Sequence, residues 1–399
     1  MQPLPSPVIE GAAMDMLVIT PSAPMVVEED GLLLDIKMVE GLKLYADLWP
    51  GPVRCLMRTA GRQAIPFGRV YTADELPCEM LPVGPDLSAH RDLFDGAAAV
   101  LASGDNYLDF PLVDITSAPV AFIIENVIGT RLRITQLDHG WSAKSVKSMV
   151  WTLLTERRRR AAFARAAGLQ ANGTPAFDAY RALSPAPMLF FDSRLREDQQ
   201  IGGMELDAKA DRLLRGEPLR LVFSGRLEPI KGVDHLVPVA SALVDMGVEF
   251  TFDIYGSGSL REPVARAIAE HGLSDRMRLH GAVPFDDVLV PTLKAEADLF
   301  VCCHRQGDPS CTYQETMGCG VPMVGYSNAA FEGVLREGDG GVTTPLDRPR
   351  EVAAAIAALD RDRVELVRLM RNAAAFSRAH SMENGFAARV RHLREIARR

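Results

Sequence analysis

The sequence predicts an α/β protein built from two doubly wound, mainly parallel sheets, and three observations carry that reading. Short apolar runs alternate with helical spacings over most of the 399 residues. A polar, Gly-containing stretch after Asp192, SRLREDQQIGGMELDAKADRLLRGEP, interrupts the alternation before it restarts at Leu219. A hydrophobic content of 47%, with no long charged or low-complexity tract, suffices for two or three buried cores.

In the first half, residues 15–20 (DMLVIT) form a compact apolar run ending at Pro21 and read as a buried strand. Residues 31–48 follow with Leu34, Met38, Leu42 and Tyr45 at helical spacing. The connection PSAPMVVEEDG holds no GxGxxG, which weighs against a dinucleotide-binding dehydrogenase. Further strands are expected at 53–57, 97–102, 119–125, 168–171 and 188–192. The strand at 119–125 delivers Glu125 and Asn126 to its carboxyl end, where open α/β sheets place ligands, so Glu125 is a candidate for contacting substrate. A plain polar strand terminus is the competing reading. His139 has no partner that sequence identifies and receives no role. Residues 150–166 read as a helix with Trp151, Leu154 and Phe163 available for burial, while Arg157, Arg158, Arg159 and Arg160 spread charge around its circumference. Such a run is usually a solvated face; the alternative is contact with anionic lipid head groups or a phosphorylated ligand.

In the second half, LRLVFSG is a strand whose carboxyl end carries Arg226 and Lys231 in the loop RLEPIKG, two fixed positive charges able to neutralise a diphosphate. A helix follows with Val233, Leu236, Val237, Ala240, Leu243 and Val244 in phase, and Pro238 is expected to kink it. VEFTFDIYG leads to Gly256-Ser257-Gly258, where Gly256 permits close backbone approach to a ligand. The stretch 297–326, ADLFVCCHRQGDPSCTYQETMGCGVPMVGY, then reads as strand, loop, short helix, tight turn and strand. Asp308 before Pro309 marks a helix start near Ser310, so the N–H groups of Ser310, Cys311 and Thr312 point beyond the strand with the positive end of the helix dipole, where a phosphate would sit. Glu315 lies one turn in from Cys311 on the same face, placed to accept from a vicinal diol such as a ribose. The bland reading makes Asp308 only an N-cap and Glu315 an exposed helix residue. Gly320 should end this helix, and helices at 350–358, 364–379 and 382–399 close the chain.

Net charge is −8, against general nucleic-acid binding, yet residues 140–166 hold seven basic residues to one acidic, and 386–399 five to one. MQPLPSPVIE lacks the basic start of a signal peptide, and no apolar run reaches the ~20 residues that span a bilayer, so a cytoplasmic protein is expected, peripheral to the inner membrane face if the arginines bind lipid. The six cysteines show no metal-ligand spacing and read as reduced packing residues.

The stretch 297–326 resembles the nucleotide-binding signature of retaining family-4 glycosyltransferases (glycosyl transferases group 1) of the GT-B fold, in which two glutamates seven residues apart precede a CGVP-like turn. The second glutamate matches Glu315; the first falls on Gly307, between Gln306 and Asp308. Arg226 and Lys231 match the family's GRL…KG motif, and a glutamate, Glu125, stands near where many members have histidine. The resemblance implies two facing Rossmann-like domains, over 1–200 on the acceptor side and 201–380 for the nucleotide-sugar, with 381–399 as a helix crossing back. It implies hexosyl transfer, with retained configuration, from a nucleotide diphosphate-sugar to a glycan or lipid-linked acceptor, as in polysaccharide biosynthesis. No metal or cofactor beyond that donor is implied. Arg226 and Lys231 would hold the diphosphate, Glu315 the ribose, and Asp308, Ser310, Cys311, Thr312 and Gly256 the rest of the donor. A GT-B-like binding subunit without turnover, or a sugar-nucleotide epimerase, is the alternative.

Overall fold

The computed structural model describes residues 15–65, 68–140 and 142–398, without the side chains of Asp138 and His139. The N-terminal stretch read for a leader and the His139 side chain thus lie outside the described residues.

In chain order the first half runs β1 (Met16–Thr20), β2 (Val26–Glu28), β3 (Gly31–Asp35), the helix Ile36–Leu48, β4 (Val53–Arg58), β5 (Gly68–Tyr71), β6 (Glu79–Val83), β7 (Ala97–Ser103), β8 (Val120–Ile124), the helices Ile128–His139 and Ala143–Arg165, β9 (Gly168–Asn172) and β10 (Pro187–Phe190). Seven of these strands form one parallel sheet in the order β10-β9-β8-β7-β1-β4-β6. The remaining three, β2-β3-β5, make a small antiparallel sheet. Residues 31–35 are therefore strand rather than the start of a helix: Leu32 and Leu34 pair with β5, and the helix begins only after Asp35, whose carboxylate caps the Met38 N–H at 2.9 Å. β6 escaped the sequence reading because it carries Glu79 and Pro82, tolerated only because it is an edge strand.

The second half supplies β11 (Leu219–Ser224), β12 (Phe250–Tyr255), β13 (Met277–Gly281), β14 (Leu299–Cys302), β15 (Met323–Tyr326) and β16 (Gly341–Thr344), all parallel in the order β13-β12-β11-β14-β15-β16. Pro238 does not kink its helix. The α-helix spans Leu236–Asp245, so the proline falls in its first turn, where its missing N–H has no intrahelical partner to lose.

Each sheet buries its own core, one around Phe223, Phe252, Phe300 and Phe331, the other on the two faces of β1, β7 and β8. The last helix, Met382–Ala397, leaves the second half and packs Phe386, Val390 and Leu393 into the first core. There Phe386 meets Tyr45 edge to face at 5.1 Å, and the Arg389 guanidinium lies 4.6 Å from the rings of both Phe190 and Phe386.

The arginine run behaves differently from its sequence pattern. Arg159 is 0% exposed, donating to the Asn126 carbonyl (2.8 Å) and Tyr180 hydroxyl (3.2 Å) and pairing with Asp105 (3.2 Å). It is an interior residue and cannot belong to a lipid-facing cluster; Arg157, Arg158 and Arg160 remain exposed. Trp151 and Leu154 are not buried as expected but 44% and 65% exposed, and Val146, Val150 and Leu153 are exposed with them.

Candidate functional site

Both sheets reverse strand order once, between β1 and β7 and between β11 and β14, and a cavity lies at the carboxyl ends of the strands at each reversal, as expected of doubly wound sheets.

In the second sheet, the loop after β11 ends in the turn Pro229–Lys231 and then Gly232 at φ 62°. A Cβ at Gly232 would meet the Cys303 carbonyl oxygen at 1.9 Å, so only glycine lets this loop lie against the end of β14. That contact pins Lys231, which is buried, with Nζ 3.2 Å from Asp308 Oδ2. Asp308 is thus a partner of Lys231 and not the helix N-cap. Arg226 is exposed on the same cleft and makes no ion pair among the described residues. The cleft encloses about 560 Å³ between Arg226, Glu228, Gln306 and Asp308 on one side and Ile134 and Leu137 of the first domain on the other. The helix carrying those two residues, Ile128–His139, had no signal in the sequence reading; it spans the junction, with Thr130 Oγ1 donating to the Gly307 carbonyl at 3.3 Å.

Gly307 offers no carboxylate where the resembled signature has its first glutamate. Its neighbour Gln306 is buried, accepts the Asp308 N–H at 2.6 Å through Oε1, and leaves Nε2 without a hydrogen-bond partner on the cleft wall. Gln306 was not singled out from the sequence, although an uncharged donor on a wall shared with Arg226 suits a phosphate or sugar oxygen.

The helix expected from Ser310 begins at Thr312 and runs to Gly318, with Cys311 at its N-cap. Ser310 N–H is not free for a phosphate, because it donates to the Asp308 carbonyl at 2.8 Å; of the three N–H groups proposed, those of Cys311 and Thr312 remain. Glu315 is buried, which rules out the exposed-residue reading, and its Oε1 accepts from Arg194 Nε at 2.8 Å. Arg194 also lies 4.3 Å over the Phe285 ring. Glu315 does not line the 560 Å³ cleft. Nor does Gly256: at φ 135°, its missing Cβ leaves room for the Gly225 carbonyl 1.9 Å away, so this glycine serves the packing of two loops.

Glu125 stands in the other cavity, about 300 Å³ over the ends of β1, β7 and β8. Asn172 Nδ2 donates to its Oε2 at 2.8 Å, and Asp105, itself held by Arg159, accepts its backbone N–H at 2.6 Å. Burial, reinforced by the nearby Asp192 charge, pushes the Glu125 carboxyl up to about 7. Asp192 goes the other way: burial would raise it, but Lys37 and Arg389 outweigh burial and hold it below the usual range. Lys37 Nζ donates to Asp192 Oδ2 (2.6 Å) and to Cys311 Sγ (2.9 Å), joining the two domains in front of the helix Thr312–Gly318. Cys311 is therefore not a mere packing residue. Asp192 could have been found as Glu125 was, as a carboxylate just beyond the carboxyl end of a strand. Among the described residues there is no group of three or more His, Cys, Asp or Glu able to hold a metal ion, and no helix long and apolar enough to cross a membrane.

Residues 218–362 match the family Glycosyl transferases group 1. Over 104 residues the chain is 33% identical to 2-deoxystreptamine glucosyltransferase of Streptomyces kanamyceticus, covering 26% of either chain. Over 154 residues it is 26% identical to alpha-D-kanosaminyltransferase of the same organism, covering 39% of either. The chain thus spans about a quarter to two fifths of the length of these curated relatives. Among solved structures, Anabaena HepE in complex with UDP superposes with a TM-score of 0.67 at 15% identity, over 95% of this chain and 98% of that one. Sucrose-phosphate synthase from Thermosynechococcus elongatus gives 0.63 at 14%, over 96% and 98%. The fold is GT-B. Its two parallel-sheet, Rossmann-like domains face each other across the junction closed by the helix Ile128–His139, and the last helix crosses back to the first domain.

Proposed function

We propose that this GT-B chain is a glycosyltransferase that moves a hexose from a nucleotide diphosphate-sugar to a hydroxyl acceptor with retention of anomeric configuration. The observation that carries the reading is the 560 Å³ cleft at the second domain's strand reversal, lined by exposed Arg226 and by Asp308, which holds buried Lys231 of the same loop as Arg226 just behind the wall. Two cations fixed there stabilise the charge that grows on a departing diphosphate, with no reorganisation needed at the moment of reaction. Asp308 holds Lys231 in place until the donor arrives, and Gln306 Nε2 supplies a neutral donor beside them. Glu315, oriented by Arg194 outside the cleft wall, accepts from the ribose of a donor that extends past the cleft, and the Cys311 and Thr312 N–H groups serve its sugar-phosphate. The acceptor enters from the first domain, near Glu125, and its proton passes to the departing phosphate oxygen. A uridine donor is the first to try, because the HepE fold neighbour was solved with UDP and with UDP-glucose.

The lipid-linked class of acceptor draws support from the helix Ala143–Arg165. Val146, Val150, Leu153 and Leu154 share one exposed face, and Lys147, Arg157 and Arg158 flank it, a pairing suited to an anionic membrane surface. The test of the function is product analysis. Incubation with isotope-labelled UDP-sugar and an acceptor panel should yield nucleoside diphosphate and a glycoside of the donor's anomeric configuration by NMR. Free sugar as the product in every case, with acceptor unchanged, would point instead to the epimerase alternative.

A further inference from the structure

The cavity over β1, β7 and β8 has a chemical character that the donor cleft lacks. Its wall is mostly apolar, from Ile19, Leu42, Leu101, Ile123, Met38 and Phe386. Its polar groups are the charged Asp35, Lys37, Glu125, Asp192 and Arg389 and the hydroxyls of Thr20, Ser22, Tyr45 and Ser103, and Asp192 pairs with Lys37. The Tyr45 hydroxyl is buried with the Arg389 guanidinium beside it, 5.2 Å from its ring. One side of the cavity is Lys37 and Asp192, the residues that touch Cys311 at the start of the donor-domain helix. A molecule in this cavity therefore reaches the place where the two domains meet.

A sugar would fit poorly here. Each ring hydroxyl set against the aliphatic wall without a partner would cost about 1 to 3 kcal/mol. An anion would meet the Asp35, Glu125 and Asp192 carboxylates, while Lys37 and Arg389 already offset the Asp192 charge. A volume of about 300 Å³ lies at the small end of ligand sites. It is the space of about ten waters at ~30 Å³ each, enough for one or two rings.

We infer that the cavity takes an uncharged alcohol or phenol whose reacting hydroxyl sits on a small apolar skeleton, and that this, rather than a glycan hydroxyl, is the group glycosylated. The inference rests on the proposed function for its reaction but on the cavity alone for its ligand. In the transfer, the acceptor oxygen bonds to the anomeric carbon and the bond from that carbon to the diphosphate oxygen breaks. The electron pair stays on the nucleoside diphosphate, which also takes the acceptor's proton. Tyr45 and Glu125 are among the groups on the wall that can hold the acceptor hydroxyl, and the apolar skeleton can belong to a free aglycone or to a lipid alcohol.

The experiment uses the full chain and reads ligand binding and transfer separately. Calorimetry without donor compares naphthol, dodecanol in detergent micelles, maltose and 2-deoxystreptamine; transfer from UDP-sugar to each is then followed by mass spectrometry. Naphthol or dodecanol should bind at least tenfold more tightly than either polar compound. A preference for naphthol identifies a free aglycone as the source, and one for dodecanol a lipid. Met38→Trp, which fills the cavity from a partly exposed position, should weaken that binding at least tenfold while leaving nucleotide binding unchanged. Tyr45→Phe should weaken it severalfold without lowering the melting temperature. Tighter binding or faster transfer with maltose or 2-deoxystreptamine overturns the inference and leaves the donor reading standing. Absence of apolar-alcohol binding overturns it whatever the donor result. Tight naphthol or dodecanol binding in a protein that ignores every nucleotide-sugar would uphold the cavity's ligand and sink the transferase reading instead.

Discussion

Arg194 Nε lies 2.8 Å from Glu315 Oε1, so the carboxylate expected to meet a ribose is already oriented by a residue of the connection between the two domains. A carboxylate accepts on both oxygens, and Arg194 Nε occupies only one of them. The pair therefore leaves one Glu315 oxygen for a diol instead of blocking both.

Loss of the Glu315 charge should then weaken donor and free nucleoside diphosphate alike. Glu315→Gln removes a charged hydrogen-bond acceptor worth roughly 1.5 to 3 kcal/mol, or about ten- to a hundredfold in Kd. Arg194→Ala should weaken nucleotide less, and should add nothing once Glu315 is Gln. Additive effects in that double-mutant cycle would separate Arg194 from Glu315.

Arg226→Ala and Lys231→Ala should each lower kcat on the order of 10²-fold or more, the scale of removing one preorganised electrostatic group. The two differ in stability. Lys231 is buried against Asp308, so its loss should also lower the melting temperature, whereas exposed Arg226 should not affect it. Wild-type turnover in either variant would remove that residue from the mechanism.

The arginine run divides cleanly between fold and surface. Arg159→Gln breaks ion pairs with Asp105 and Glu156 and two further hydrogen bonds, and should cost about 3 to 5 kcal/mol in urea unfolding. Arg157→Gln with Arg158→Gln should change stability by no more than about 0.5 kcal/mol each. If the exposed face of that helix binds lipid, the double variant should lose co-sedimentation with anionic liposomes at low salt. Equal sedimentation of wild type and double variant would leave the two arginines as a solvated face.

These four arginines also show where sequence stops being informative. Alternating apolar runs and helical spacings reveal the parallel sheets, because burial on both faces imposes continuous apolar strands. Arg226 and Lys231 were legible because a strand end and a short loop fix where they must lie. Arg159 was not, since its partners Asp105, Asn126 and Tyr180 arrive from other loops and elements of the fold. Lys37 and Cys311 were missed as partners for the same reason, being 274 residues apart. Asp308 was misread because its local capping signal competed with a long-range one, and Lys231 won.

Stability should carry the mark of Glu125. Its folded pKa of about 7 lies above the ordinary carboxyl value, so between about pH 4.5 and 7 the folded state binds more protons than the unfolded one. Its contribution therefore falls as pH rises through that window, by at most about 3 kcal/mol at ~1.36 kcal/mol per unit. The groups that set this are Asp192, Asp105, Lys37 and Asn172 around it. Glu125→Gln should unfold at higher denaturant than wild type at pH 8 and close to it at pH 4.5. The same difference at both pH values would place the titration elsewhere.

The cleft lined by Arg226, Gln306 and Asp308, the partner of Lys231, is proposed to hold a nucleotide diphosphate-sugar. The most direct test is thermal unfolding of the full chain with UDP-, GDP- and ADP-sugars, repeated with Lys231→Ala. One nucleotide series should stabilise the wild type, by about 2.7 kcal/mol at ~100 times its dissociation constant, and the shift should largely vanish in the variant. No shift with any of the three sugar nucleotides, or an equal shift in wild type and Lys231→Ala, would contradict it.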